Sequence, residues 1–149
     1  MNDKLFVYGT LLDEDNKYGV YLRDNSKFYS QGTVKGKLYN IGEYPGAVLL
    51  PNNEDAIYGI ILKMDDPETA LELIDIYEGF GEGHQQPNEF IRILTDADTE
   101  NGPVTCWIYV YNLPTQGLIL IESGRYIKWS FKASNKKPRR HYIRRAVFN

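Results

Sequence analysis

A single cysteine in 149 residues excludes an internal disulfide and any multi-cysteine metal centre. Cys106 lies between Thr105 and Trp107 in an apolar stretch, where a buried, inert thiol is expected. Histidine is as scarce. His84 and His141 have no partner at ligand spacing, so no zinc site is expected, and no other cofactor signature is present. Long apolar runs are missing, and no stretch approaches the roughly 20 residues of a membrane-spanning helix. The chain passes from Met1-Asn2-Asp3-Lys4 directly into an apolar strand, with no signal-peptide pattern. A cytoplasmic location is the resulting expectation. Acidic residues are absent from one end: residues 132–149 hold seven Lys/Arg and no Asp/Glu. The rest sets ten Lys/Arg against twenty Asp/Glu, a net −10. Such a basic end can dock on the acidic body, bind a polyanion or keep the chain soluble.

What is present is β-rich. Twelve tyrosines and isolated glycines suggest strands joined by tight turns, and the length suits one domain, 1–149, with its own core. After the first strand, a short helix is expected over 16–23 and a long, bent strand over 28–41, with Gly32 and Gly36 at the bends. The turn Gly42-Glu43-Tyr44-Pro45-Gly46 leads to a strand over 47–50, and the polar turn 52–55 leads to another over 56–64. Their proximity suggests an antiparallel hairpin. Asp66, Pro67 and Glu68 then open the best helix, which Gly79 stops. Strands follow over 89–95 and 104–112, with a polar turn over 96–102 and an apolar stretch over 118–121. A short helix over 125–132 is expected next. The basic extension, 133–149, reads as a linker to a closing strand over 142–148. The sum is an α+β fold whose mixed, largely antiparallel sheet curls toward a small β-barrel flanked by two or three helices.

Two stretches carry the chemistry. Leu5-Phe6-Val7-Tyr8-Gly9-Thr10-Leu11-Leu12 is a buried strand that breaks at Gly-Thr, where backbone N–H groups can converge into an anion-binding concavity. Many strands end in Gly for turn geometry alone. The second stretch is the end of the helix. On a wheel, Ala70, Leu71, Ile74 and Tyr77 form the apolar face, and Glu68, Glu72 and Asp75 fall on the solvated side. Glu78, seven residues beyond Leu71 and four beyond Ile74, joins the apolar face instead. Burial and the negative end of the helix dipole would both raise its pKa, which suits general acid–base work. The competing reading is structural: Glu78 bends out to solvent, or pairs with an arginine such as Arg92.

Together these stretches resemble the gamma-glutamylcyclotransferase-like family, including its gamma-glutamylamine cyclotransferase branch. The resemblance is carried by Leu5-Phe6-Val7-Tyr8-Gly9-Thr10-Leu11, by Gly36-Lys37-Leu38-Tyr39 with Tyr44-Pro45-Gly46-Ala47, and by Leu73-Ile74-Asp75-Ile76-Tyr77-Glu78-Gly79-Phe80. It implies a barrel with a cavity at one end and a small-molecule gamma-glutamyl substrate. The amine of that substrate attacks its own side-chain amide and closes 5-oxoproline, with no metal or cofactor. It also implies roles: backbone amides at Gly9, Thr10 and Leu11 for the substrate carboxylate, Tyr8 as pocket wall and Glu78 as proton carrier. Tyr44, Phe90 and Arg92 are further pocket candidates. Phe90 departs from the family pattern, which has tyrosine there in some members, so no hydroxyl is available at that position. The loop over 81–88 is longer than expected, and the leaving group is not carried over.

Two rival functions are weighed. The same fold can serve as a catalytically inactive binding or interaction module. Nucleic-acid binding through Lys136-Lys137, Arg139-Arg140 and Arg144-Arg145 is disfavoured, because counterion-release binding wants a broader basic footprint. Trp107, Tyr109 and Tyr111 alternate on one strand face as core or pocket wall. Asp65-Asp66 reads as a helix cap, and Ser123 has no histidine at a nucleophile's spacing.

Overall fold

Alternation along the first strand separates two cores. In β1 (Lys4–Val7), Leu5 and Val7 face one way, while Phe6 and the following Tyr8 face the other. The computed structural model describes residues 1–126. After β1 come a 3-10 turn (Thr10–Leu12), α1 (Lys17–Asp24), β2 (Ser26–Asn40), β3 (Pro45–Leu49) and β4 (Ala56–Met64). Then follow α2 (Pro67–Glu78), β5 (Phe90–Thr99), β6 (Gly102–Tyr111) and β7 (Ile119–Ile121).

Strands run in the order β2–β4–β1–β6–β5, and β5 returns to β2 through Thr33 and Asp98, closing a five-stranded barrel. β1 and β6 run parallel; the other neighbours are antiparallel. β3 and β7 are added along the later half of β2. The expected mixed barrel with flanking helices is the observed architecture.

Phe6, Tyr8, Val34, Ile57, Ile61, Cys106 and Ile108 belong to the barrel's core. The second core lies between the barrel wall and the helices, where Leu5, Val7 and Leu62 meet Leu22, Leu71, Ile74 and Tyr77. Burying each large apolar side chain contributes about 1.5–3 kcal/mol. α2 forms as its ends dictate. The Asp66 side chain accepts from the Thr69 N–H at 3.3 Å, and Gly79 adopts the left-handed conformation (φ 75°), which lets the chain turn out of the helix. Ala70, Leu71, Ile74 and Tyr77 are all buried, as the wheel requires.

Three local expectations are corrected. β3 and β4 do not form a hairpin, because each pairs with a different part of the 15-residue β2. β5 does not end at Thr95. It runs to Thr99, since Ala97 points into the core while Asp96 and Asp98 point out, and strand alternation outweighs the turn-like composition. Of the helix expected over 125–132, Arg125 and Tyr126 are described and are not helical. The remainder, the linker and the closing strand lie outside the described residues. Among the described residues no helix is long and apolar enough to cross a membrane.

Candidate active site

The chain leaves β1 and folds at once into the 3-10 turn, whose first N–H groups have no acceptor within the turn itself. Its carbonyl side is held elsewhere: Arg23 of α1 donates to Leu11 O at 2.8 Å and to Asp13 O at 3.1 Å. Gly9 is required by space. A Cβ there would lie 2.9 Å from Pro45 Cγ, so only glycine lets β3 approach this closely. The Tyr8 hydroxyl donates to Tyr109 O at 2.8 Å and accepts from the Ala47 N–H at 3.1 Å, tying the end of β1 to β6 and β3.

The end of α2 reaches the same place. Tyr77, buried beneath the helix, joins its hydroxyl to Thr10 Oγ1 at 2.5 Å and accepts from Asn16 Nδ2 at 3.0 Å. One residue later, half-buried Glu78 faces a narrow pocket. Its lining includes Tyr8, Gly9, Thr10, Leu11, Tyr44, Phe90 and Tyr109. The free space is about 390 Å³ with the mouth included.

Arg92 is not among the lining residues. Its guanidinium grips Asp75 through Nε–Oδ1 (2.8 Å) and Nη2–Oδ2 (3.0 Å), and it stacks 4.4 Å above the Trp107 ring. That hydrogen-bonded carboxylate, opposed by partial burial, holds the guanidinium above its ordinary pKa. Asp75 is therefore no solvated charge, as the wheel suggested. It also accepts from the Tyr109 hydroxyl at 2.6 Å. Burial first, then the negative charges of Asp75 and Glu78, push the Tyr109 phenol well above its usual range. Sequence reasoning missed this Arg92–Asp75–Tyr109 chain. Its signals were the alternation of Trp107, Tyr109 and Tyr111 and the expected pairing of Arg92 with a carboxylate of the helix, which falls on Asp75.

Tyr44 donates to Glu89 Oε2 at 2.5 Å, and Phe90 packs between Tyr44 and Tyr111, with ring centroids at 6.0 and 5.6 Å. A second cavity, about 880 Å³ with its mouth included, adjoins at Glu78 and is walled by Gly79, His84, Gln85, Pro87, Glu89 and Leu113. Its loop is fastened by Asn88, which accepts from the Gly81 N–H (3.0 Å) and donates to Gly81 O (3.1 Å) and Gln85 O (3.0 Å). A larger groove runs along β2 and β4 past Asp98, Glu100 and Arg125, but neither Glu78 nor Thr10 lines it. Among the described residues no three His, Cys, Asp or Glu side chains are grouped to hold a metal.

Comparison with known proteins gives a concordant answer. Residues 5–128 match the family profile described as gamma-glutamyl cyclotransferase, AIG2-like. The gamma-glutamylcyclotransferase family protein YtfP of Escherichia coli is 30% identical over 125 residues, covering 83% of this chain and 96% of that protein. Its solution structure superposes with a TM-score of 0.57. An AIG2-like protein from Mus musculus has the same fold, with a TM-score of 0.68 at 21% identity over 91% of this chain and 95% of that one. YkqA of Bacillus subtilis is 27% identical with a TM-score of 0.65, covering 93% of this chain; this chain spans 44% of YkqA.

Proposed function

The chain belongs to the gamma-glutamyl cyclotransferase, AIG2-like family, and we propose that it converts a gamma-glutamyl amine or peptide into 5-oxoproline and a free amine. One observation carries the reading. Glu78 and the Tyr8–Leu11 stretch, far apart in sequence, line the same narrow pocket. In this reading the amides of Gly9, Thr10 and Leu11 hold the substrate carboxylate, since the opening N–H groups of a helical turn are donors without a local acceptor. The folded glutamyl group then presents its α-nitrogen to its own γ-carbonyl.

Glu78 takes one proton from the α-ammonium. The freed lone pair forms the new C–N bond, and the γ-carbonyl oxygen carries the negative charge of the tetrahedral intermediate. Glu78 returns the proton to the departing nitrogen, then takes the second proton from the ring nitrogen as the old C–N bond breaks and passes it to the amine, so 5-oxoproline and an ammonium are released. No water enters the balance, so a substrate that displaces solvent from the pocket favours ring closure over hydrolysis. Proximity supplies much of the acceleration, because well-oriented intramolecular reactions reach effective molarities of about 10⁵–10⁸ M.

The test is incubation with L-glutamine, gamma-glutamyl anilides and gamma-glutamyl dipeptides, with 5-oxoproline read by mass spectrometry. Release by the wild type and a loss of roughly 10²-fold or more in Glu78→Gln is expected. No product from any of these substrates would overturn the reaction. An unchanged rate in Glu78→Gln would remove that residue from it.

A further inference from the structure

We infer that Tyr109 is the acceptor that holds the substrate's α-ammonium beside Glu78, its own proton being committed to Asp75. The inference rests on the reaction proposed above and adds a substrate-binding residue to it. A phenol has one proton to donate and lone pairs to accept with. The Tyr109 O–H points at Asp75 Oδ1, 2.6 Å away, so acceptor capacity is what its oxygen has left to offer. Asp75 is held in place by both bonds from Arg92, which keeps the direction of that proton fixed. Burial and the neighbouring carboxylates keep the phenol protonated at neutral pH.

The other hydroxyls around the pocket have different engagements. Tyr8 bridges Tyr109 O and the Ala47 N–H, Thr10 bonds to Tyr77, and Tyr44 donates to Glu89. Asp75 and Glu78 stand three residues apart on α2 and share a face of it, so a phenol tied to the first lies close to the second. An ammonium seated there meets one group that removes a proton and another that only orients an N–H. The nitrogen gives one proton to Glu78 and keeps another directed at the Tyr109 oxygen. Its lone pair is thereby aimed at the γ-carbonyl.

The test compares L-glutamine and glutaramate, which differ only in the α-amino group, as competitive inhibitors of gamma-glutamyl anilide turnover, read as aniline release so that 5-oxoproline made from L-glutamine does not enter the signal. Wild-type protein is expected to prefer L-glutamine by roughly tenfold or more, the usual worth of a hydrogen bond to a charged group. In Tyr109→Phe that preference shrinks by about tenfold, while glutaramate binding changes little. A merely structural role would weaken both inhibitors together and leave their ratio intact, and that result overturns the assignment. Should Tyr109→Phe fail to fold, Asp75→Ala keeps the phenol but frees its proton. The preference must fall there too, and a ratio equal to the wild type's overturns the inference. Failure of the wild type to make 5-oxoproline sinks the proposed reaction itself, a result distinct from turnover with an unchanged ratio.

Discussion

Replacing Tyr77 by Phe removes one oxygen from a residue that is 1% exposed, and that oxygen joins the two halves of the site. Its loss strands Asn16 Nδ2, on a residue that is 0% exposed, and takes a partner from Thr10 Oγ1. At about 1–3 kcal/mol for each buried polar group left unmatched, and with Thr10 free to turn its hydroxyl, the cost is roughly 2–4 kcal/mol. A melting entropy of about 2.1 cal/mol/K per residue, near 0.3 kcal/mol/K for this chain, converts that to a fall of roughly 6–13 °C in Tm. Circular dichroism melts of the wild type, Tyr77→Phe, Thr10→Val and the double variant complete the cycle. A coupling of at least about 1 kcal/mol between the two sites is expected. The rate of 5-oxoproline formation should fall as well, because Glu78 follows Tyr77 and relies on it for placement. A Tm loss below about 2 °C, or additivity within about 0.5 kcal/mol, would refute the idea that this hydroxyl binds α2 to the end of β1.

Gly9→Ala is expected to cost about 1–3 kcal/mol by overpacking against Pro45 Cγ and to lower kcat/KM by displacing the turn amides. Wild-type Tm and kcat/KM in that variant would show that Pro45 yields and that the space argument is wrong. Cys106 is fully buried, and its thiol is pushed up to about 11, first by burial and then by the charge of Asp96. A raised pKa is a stabilising contribution present below the unfolded value and lost as pH climbs from about 9 to about 11. At pH 8 an aromatic disulfide reagent should therefore leave the native protein unlabelled and react with one thiol in urea. Rapid native labelling would contradict the burial.

The legible parts were those with local signals. Asp66, Pro67 and Gly79 bound α2 by interactions within a turn of each end, and the wheel brought Glu78 to the apolar side with no tertiary knowledge. Tyr8, Gly9, Thr10 and Leu11 line the pocket together with Glu78, as do Tyr44 and Phe90. Asp75 was misread for a physical reason. Its partners arrive from β5 and β6, and a helical wheel holds no information about strands packed across it. Arg92 followed the same rule in reverse, since the carboxylate it pairs with lies one turn before Glu78. The β3–β4 hairpin failed because β2 is long enough to serve both strands, a competition invisible in the turn between them.

The fastening of the segment between α2 and β5 has a consequence for how such a protein diversifies. Asn88 closes that segment on Gly81 from both its N–H and its carbonyl, so residues 82–87 hang from a knot that stands apart from the anchoring of Glu78. Gln86 adds to that knot by donating to Gly81 O at 2.9 Å, which leaves His84 and Gln85 as cavity-facing positions whose side chains take no part in it. Under the proposed reaction, substitutions at His84 and Gln85, which wall the cavity beside Glu78, should change which amine is released while the glutamyl half is kept.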